Sequence, residues 1–416
     1  MNILDNKKLL KNLVSLYGEK AASKEMERYS LYIEKFEKTF GKREISLFSA
    51  PGRSELGGNH TDHQRGKILA AAINLDAIAV AAPLDEEKII IQSEGFPRDE
   101  IILDDLTPHK DEFGTSMGII RGMAATLFKM GYEIGGFCAY THSSVLKGSG
   151  MSSSAAFEVL VGTIISGLYN NMKIDPVQIA IAAKIAENDY FGKPCGLMDQ
   201  LACSFGSLIN VDFEDPELPK IKPLKLDLSG YSLCIVDTKG SHEDLTEDYA
   251  AVPSEMKAVA RALGKTYLRE VDENDFYSNL ADVRKCAGDR AVLRAIHFFE
   301  EEKRVEKEAN AVEKGDLEEF FNQVNRSGRS SFQYLQNVYS PSHPEAQGLS
   351  LGVALSDVIL GDRGAFRVHG GGFAGTIQAY VPDDLVDEYK RRLDALFGNG
   401  SCHILSIRDK GGVRVY

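Results

Sequence analysis

With 416 residues, 43% hydrophobic and 26% charged, the chain is long enough for two or three domains with sizeable cores and has the composition of an ordinary globular protein. Its net charge of −13 argues against nonspecific binding to nucleic acid. No apolar run approaches the ~20 residues of a membrane span. Lys7, Lys8 and Lys11 interrupt the early leucines, and none of the six cysteines forms a C-x-x-C pair. The expectation is a cytoplasmic protein with reduced thiols, without a disulfide framework or zinc site.

In chain order, helical spacing covers residues 6–40, with Tyr29, Leu31, Tyr32 and Phe36 on one stripe. Residues 45–50 read as a strand that stops at Pro51-Gly52, ahead of a polar, glycine-rich loop over 51–66. The small apolar run 68–82 reads as a buried strand, and 88–93 and 100–104 alternate as exposed strands do. A helix over 114–131 ends at Gly131, a strand follows at 136–142, and a glycine–serine turn opens a helix over 152–170. Asp175-Pro176 is a good start for the helix 175–192. Strands at 207–212 and 231–237 flank a boundary segment, 215–230, rich in Asp, Pro and Lys. Charged helices follow at 253–264, 288–314 and 316–326. A glycine-rich passage at 370–375 sits between two strand-like runs, before a helix at 383–397 and closing strands. Strands and helices mix without strict alternation, so the expected fold is α+β in two lobes, residues 1–220 and 221–416.

Three blocks carry chemistry. In Lys147-Gly148-Ser149-Gly150-Met151-Ser152-Ser153-Ser154, glycines let the backbone come close to a ligand, and the helix that follows offers free N–H groups to phosphate oxygens. It is no Walker loop, because its lysine precedes the glycines. In Pro51 to Gln64, donors and acceptors crowd a tight turn, as the many hydroxyls of a sugar require, and Arg53 suits a developing negative charge. In Glu187 to Asp199, a helix ends near Gly192 and a loop presents Asp199 as a candidate general base, with Glu187 a hard oxygen ligand. Gly370, Gly372 and Gly375 formally satisfy G-x-G-x-x-G, but the strand-like run that follows excludes a dinucleotide fingerprint.

In this order and at these separations the blocks resemble those of the GHMP small-molecule kinases, and most nearly the galactokinases. Gly52 to His63 is similar to G-R-V-N-L-I-G-E-H-T-D-Y, Gly150 to Ala155 to G-L-S-S-S-A, Cys195 to Gln200 to C-G-I-M-D-Q, and Gly370 to Gly375 to G-A-G-F-G-G. The resemblance implies a two-lobed fold with the active site in the cleft between the lobes, and ATP-dependent phosphorylation of a sugar's anomeric hydroxyl. It implies Asp199 as base and Arg53 as charge stabiliser. Gly148, Ser149, Gly150, Met151, Ser152, Ser153 and Ser154 would form the ATP phosphate loop, with Ser154 and Glu187 on Mg²⁺. Asn59, His60, Thr61, Asp62, Gly196 and Tyr249 would contact the sugar. The implied partners are a small sugar and a nucleotide, without nucleic acid or membrane, in a monomer or weak homo-oligomer.

The signature departs from the family pattern at three positions: Glu55 replaces asparagine, Asn59 replaces glutamate and His63 replaces tyrosine. Asn59 stands where the family's glutamate accepts a hydrogen bond from the hydroxyl on carbon six. An uncharged amide there admits galactose and does not repel a carboxylate, so galacturonate or another hexose is the alternative substrate. A non-catalytic sugar and ATP sensor is a third reading, opposed by the intact Ser154-Ala155, Asp199 and Arg53.

Overall fold

In the computed structural model, which describes residues 7–145, 150–240 and 245–416, one long strand organises the first of two sheets. Helices α1 (Lys7–Tyr17) and α2 (Glu19–Phe40) lead into β1 (Ser46–Gly57), β2 (Lys67–Pro83), β3 (Lys88–Ser93) and β4 (Arg98–Ile102). Next come α3 (Ser116–Lys129), β5 (Phe137–Ser143), α4 (Ser153–Tyr169), α5 (Pro176–Ile185), α6 (Met198–Phe205), β6 (Leu208–Asp212), β7 (Lys220–Leu224) and β8 (Tyr231–Asp237). The helical stretch α7 (Thr246–Ala262), α8 (Glu273–Ser278), α9 (Leu280–Ala287), α10 (Asp289–Lys314) and α11 (Leu317–Ser330) follows. The chain closes with α12 (Gly348–Leu360), β9 (Ala365–His369), β10 (Thr376–Pro382), α13 (Val386–Phe397), β11 (Cys402–Leu405) and β12 (Val413–Arg414). No helix among the described residues is long and apolar enough to cross a membrane.

The larger sheet has the order β12-β1-β2-β5-β3-β4, with β6 and β7 added beside the first half of β2. One edge of β2 pairs with β1 along its length; the other pairs first with β6 and then with β5. Alternate residues of β2 face opposite cores, which explains why the run is apolar without a polar beat. Ile78 and Val80 join Leu47 beneath the leucines of α1 and Tyr29, Tyr32 and Phe36 of α2. Ala77, Ala79 and Ala81 join Phe48 beneath α3 and α4. Each large apolar side chain fully buried in this way contributes about 1.5–3 kcal/mol. The smaller antiparallel sheet, β11-β8-β10-β9, packs one face against α12 and α13. Leu233, Ile235 and Tyr380 of that sheet meet Phe320 and Val324 of α11 in the first core.

Four expectations change. β1 does not stop at Pro51: the proline pairs opposite Asp76 and the register shifts between Pro51 and Arg53. A bulge lets the strand pass a residue that cannot donate to the ladder. Half of the expected polar loop is therefore strand. Leu31 leaves the apolar stripe of α2 and is 45% exposed, while Tyr29, Tyr32 and Phe36 are buried. The helix expected over 175–192 turns from α to a π turn at Ala186–Tyr190. Finally, the sheet of the first lobe extends past residue 220 through β7 and takes β12 from the other end of the chain.

A buried carboxylate ties these parts together. Asp76 on β2 receives Arg28 Nη2 at 2.6 Å, Arg408 Nη1 at 3.0 Å, the Tyr17 hydroxyl at 2.5 Å and the Ser49 hydroxyl. Burial would raise this carboxyl, but the two guanidinium groups and the two hydroxyls outweigh it and hold it below the usual carboxylate range.

Candidate active site

β1 brings Arg53 and Glu55, two residues apart, to one wall of a cavity of about 210 Å³. The other lining residues are Asn59, His60 and Asp62 from the turn after β1, Cys195 to Gln200 around the start of α6 except Leu197, and Gly370 and Gly371 from the turn after β9. Two of the three sequence blocks and the glycine passage at 370–375 meet here.

Arg53 is the hub. Its Nε donates to Asp199 Oδ1 at 2.8 Å, its Nη1 to the Gly150 carbonyl, and its backbone N–H to the Met151 carbonyl at 3.2 Å. The glycine before it is required for this approach: a Cβ on Gly52 would stand 2.8 Å from Met151 O. One side chain thus fixes both the start of α4 and the acid in the first turn of α6. Ser152, which precedes α4 with φ 55°, donates its hydroxyl to Asp199 Oδ2. Burial would raise the Asp199 carboxyl, but the Arg53 charge and hydrogen bond, the Ser152 hydroxyl and Lys193 outweigh it. The acid is held ionised, as a general base must be.

Ser153 and Ser154 open α4, with Ser154 exposed, while Met151 is buried. Gly148 and Ser149 lie outside the described residues. Glu187 is 3% exposed on the π turn, a deformation frequent at functional sites. It receives Lys193 Nζ at 3.2 Å and Gln200 Nε2 at 2.9 Å.

The turn after β1 divides its residues between ligand-facing and structural work. Asp62 faces the cavity, and a Cβ on Gly196 would come within 2.9 Å of its Oδ2. Loss of solvent around Asp62, with the Glu55 and Asp199 carboxylates adding to it, pushes its pKa up to about 6 against the pull of the His63 backbone N–H. His60, at φ 60°, places Nε2 2.9 Å from the Gly371 carbonyl. Asn59 lines the cavity, but its amide is committed to protein groups. Two expected sugar contacts are not brought to the cavity wall. Thr61 turns its hydroxyl to the Gly58 and Lys67 carbonyls at 2.9 and 2.6 Å, and holds the turn. Tyr249 donates to the Gly372 carbonyl at 2.7 Å and packs edge-on against Phe373, bracing the last glycine turn.

Sequence reasoning missed Glu158, Lys193, Gln200 and Arg367. Glu158 is fully buried on α4, and Gln200 Nε2 bridges it to Glu187 at 3.1 and 2.9 Å. Its signal was present: an acid four residues after Ser154, on the same face of an otherwise apolar helix. Arg367 had no such signal, since its partner Glu55 lies 312 residues earlier.

Comparison with known proteins agrees with this geometry. Residues 34–83 match the galactokinase galactose-binding signature, and residues 118–207 match the GHMP kinases N-terminal domain. The galactokinase of Limosilactobacillus reuteri (strain DSM 20016) is 29% identical over 379 residues, covering 88% of this chain and 93% of the relative. That of Lactobacillus helveticus is 29% identical over 386 residues, covering 91% and 96%. The crystal structure of Lactococcus lactis galactokinase complexed with galactose superposes with a TM-score of 0.79 at 25% identity, covering 93% of this chain and 99% of that one. With the fold, the cavity and both family models in agreement, the chain has the fold of the GHMP kinases and is a sugar kinase similar to galactokinases over most of its length.

Proposed function

We propose that this enzyme transfers the γ-phosphoryl group of ATP to the anomeric hydroxyl of galactose, giving galactose 1-phosphate. The observation that carries the reading is the Asp199 carboxylate, kept ionised between Arg53 and Ser152 on the wall of a small polar cavity. Phosphoryl transfer needs chiefly alignment, charge neutralisation and an acceptor for the hydroxyl proton. Asp199 takes that proton from the sugar. Arg53 keeps the base charged and stands beside the oxygen on which charge develops. Asn59, His60, Asp62 and Gly196 shape the sugar end. Residues Gly148 to Ser154, with the N-terminus of α4, would bind the phosphates. Ser154 and Glu187 would hold Mg²⁺, which when bound neutralises charge on the transferring group. Glu158 Oε1, buried beside Glu187 and without a hydrogen-bond partner among the described residues, supports an oxygen-rich pocket suited to a hard cation.

A neutral sugar is favoured over galacturonate. Asn59 removes a negative charge from its own position, but Glu55 keeps a carboxylate on the same wall. Mg·ATP-dependent transfer to galactose and galacturonate, assayed side by side, tests this. Galactose is expected to be turned over at least about tenfold more efficiently, since like charge at close range costs more than 1.4 kcal/mol. Preference for galacturonate would reverse the substrate assignment, and turnover of neither would require another sugar.

A pH profile tests Asp62. With its pKa near 6, the ionised acceptor is present above pH 6 and lost below it. kcat/KM for galactose is expected to fall about tenfold per pH unit below 6, because it reports groups of the free enzyme. Asp62→Asn should lower kcat/KM and remove that limb; a limb that persists in the variant excludes Asp62 as its source.

A further inference from the structure

The amide of Asn59 has no bond left to give. Its Nδ2 donates to the Gly370 carbonyl at 2.6 Å and to Glu55 Oε1 at 3.1 Å. Its Oδ1 accepts from Asn337 Nδ2 at 3.0 Å and from the Ser331 hydroxyl at 3.3 Å. Two donors and two lone pairs are the full capacity of the group, so a ligand hydroxyl would have to displace one of these bonds.

Glu55 is placed differently. Its Oε1 receives Arg367 Nη2 at 2.5 Å and the Asn59 amide. Its backbone carbonyl accepts from Gln378 Nε2 at 3.0 Å and Arg367 Nη2 at 3.3 Å. Arg367 is fully buried, with Nη1 on the Ser327 hydroxyl at 3.1 Å, so the carboxylate is fixed in one orientation. Among the described residues, no hydrogen bond reaches Glu55 Oε2, and Glu55 lines the cavity. The pairing of β1 with β2 is regular from Arg53 to Glu55. Two strand residues on one face stand about 7 Å apart, which separates Glu55 from the Arg53–Asp199 pair by roughly the width of a pyranose ring.

From this we infer that Glu55, and not Asn59, accepts a hydrogen bond from a hydroxyl on the side of the sugar ring opposite carbon one. Glu55 is then a specificity-determining residue: it selects a neutral hydroxyl there and repels a carboxylate. The inference rests on the galactose reading above.

Calorimetric binding of galactose, 4-deoxygalactose and 6-deoxygalactose to the full chain and to Glu55→Gln tests it, with binding of a non-hydrolysable ATP analogue as the check on folding. A hydrogen bond to a charged acceptor corresponds to roughly ten- to hundredfold in affinity. The unaltered protein is expected to bind one of the two deoxy sugars that much more weakly than galactose. Glu55→Gln should bind galactose with a similar loss and cease to discriminate. Full discrimination retained by Glu55→Gln, or none in the unaltered protein, overturns the assignment of Glu55. Failure of the unaltered protein to bind galactose at all overturns the substrate reading instead, and this inference with it. If Glu55→Gln loses the nucleotide, Glu55→Asp is the second variant, since it keeps a charge for Arg367 but shortens the reach. Undiminished discrimination by Glu55→Asp overturns the proposal.

Discussion

Asp199→Asn is expected to lower the turnover of galactose by about 10²–10⁴-fold, the range in which a positioned general base acts. Binding of sugar and of ATP should change little. The substitution is isosteric, and the new amide oxygen can still accept from Arg53 Nε, which now holds Asp199 at 2.8 Å. What it removes is the ionised oxygen that receives the hydroxyl proton in the proposed mechanism. Single-turnover kinetics with saturating Mg·ATP and galactose isolate the chemical step from product release. Near-normal turnover would exclude Asp199 as the base and leave Arg53 as the main contribution of this pair.

The second large effect concerns stability. Asp76→Ala should destabilise the fold by about 3–5 kcal/mol, because it strands a buried cation. Arg408 is fully buried, and its Nη1 keeps only the Ser49 hydroxyl once the carboxylate is gone. Tyr17→Phe deletes one hydrogen bond to the same acid and should cost less, about 1.5–3 kcal/mol. Denaturant midpoints of the two variants measure the difference, and equal midpoints would refute a dominant ionic role. The pH dependence has a definite sign. The native pKa of Asp76 lies below its ordinary value, so its contribution is complete above that ordinary value. It is lost as pH falls through the depressed native value.

Much of the site was legible in the sequence because phosphate and sugar recognition writes itself in short local motifs. Arg53 and Asp199, 146 residues apart, were each identified from their own block, and the fold brings them into contact. The glycine passage at 370–375 was separated from a dinucleotide motif by the strand after it, and β10 is that strand. Thr61 and Tyr249 show the limit of such reading. A motif fixes which residues share a turn, but not whether a hydroxyl faces the ligand or holds the turn closed. For Asn59 and Glu55 the decisive partner was Arg367, and nothing local announces a contact across 312 residues. The π turn at Ala186–Tyr190 was also hidden, since its apolar spacing reads as unbroken helix. Pro51 misled for the opposite reason: proline normally ends a strand, and only the bulge beside it allows β1 to continue.

The return of β12 to β1 also bears on when activity can first appear. Leu47 bonds to the backbone of Val415 and Tyr416, Ile73 bridges Ile407, and Arg408 completes the shell of Asp76. The strand that carries Arg53 and Glu55 is synthesised well before its outer neighbour β12, which lies on the far side of every other strand and helix in chain order. At ~5–20 residues per second, β1 waits on the order of tens of seconds with that edge unpaired. The sheet behind the proposed catalytic wall is therefore completed only after synthesis of residues 407–416, and a nascent chain arrested before them carries Arg53 and Asp199 with β1 paired to β2 but without β12 and without the Arg408 partner of Asp76.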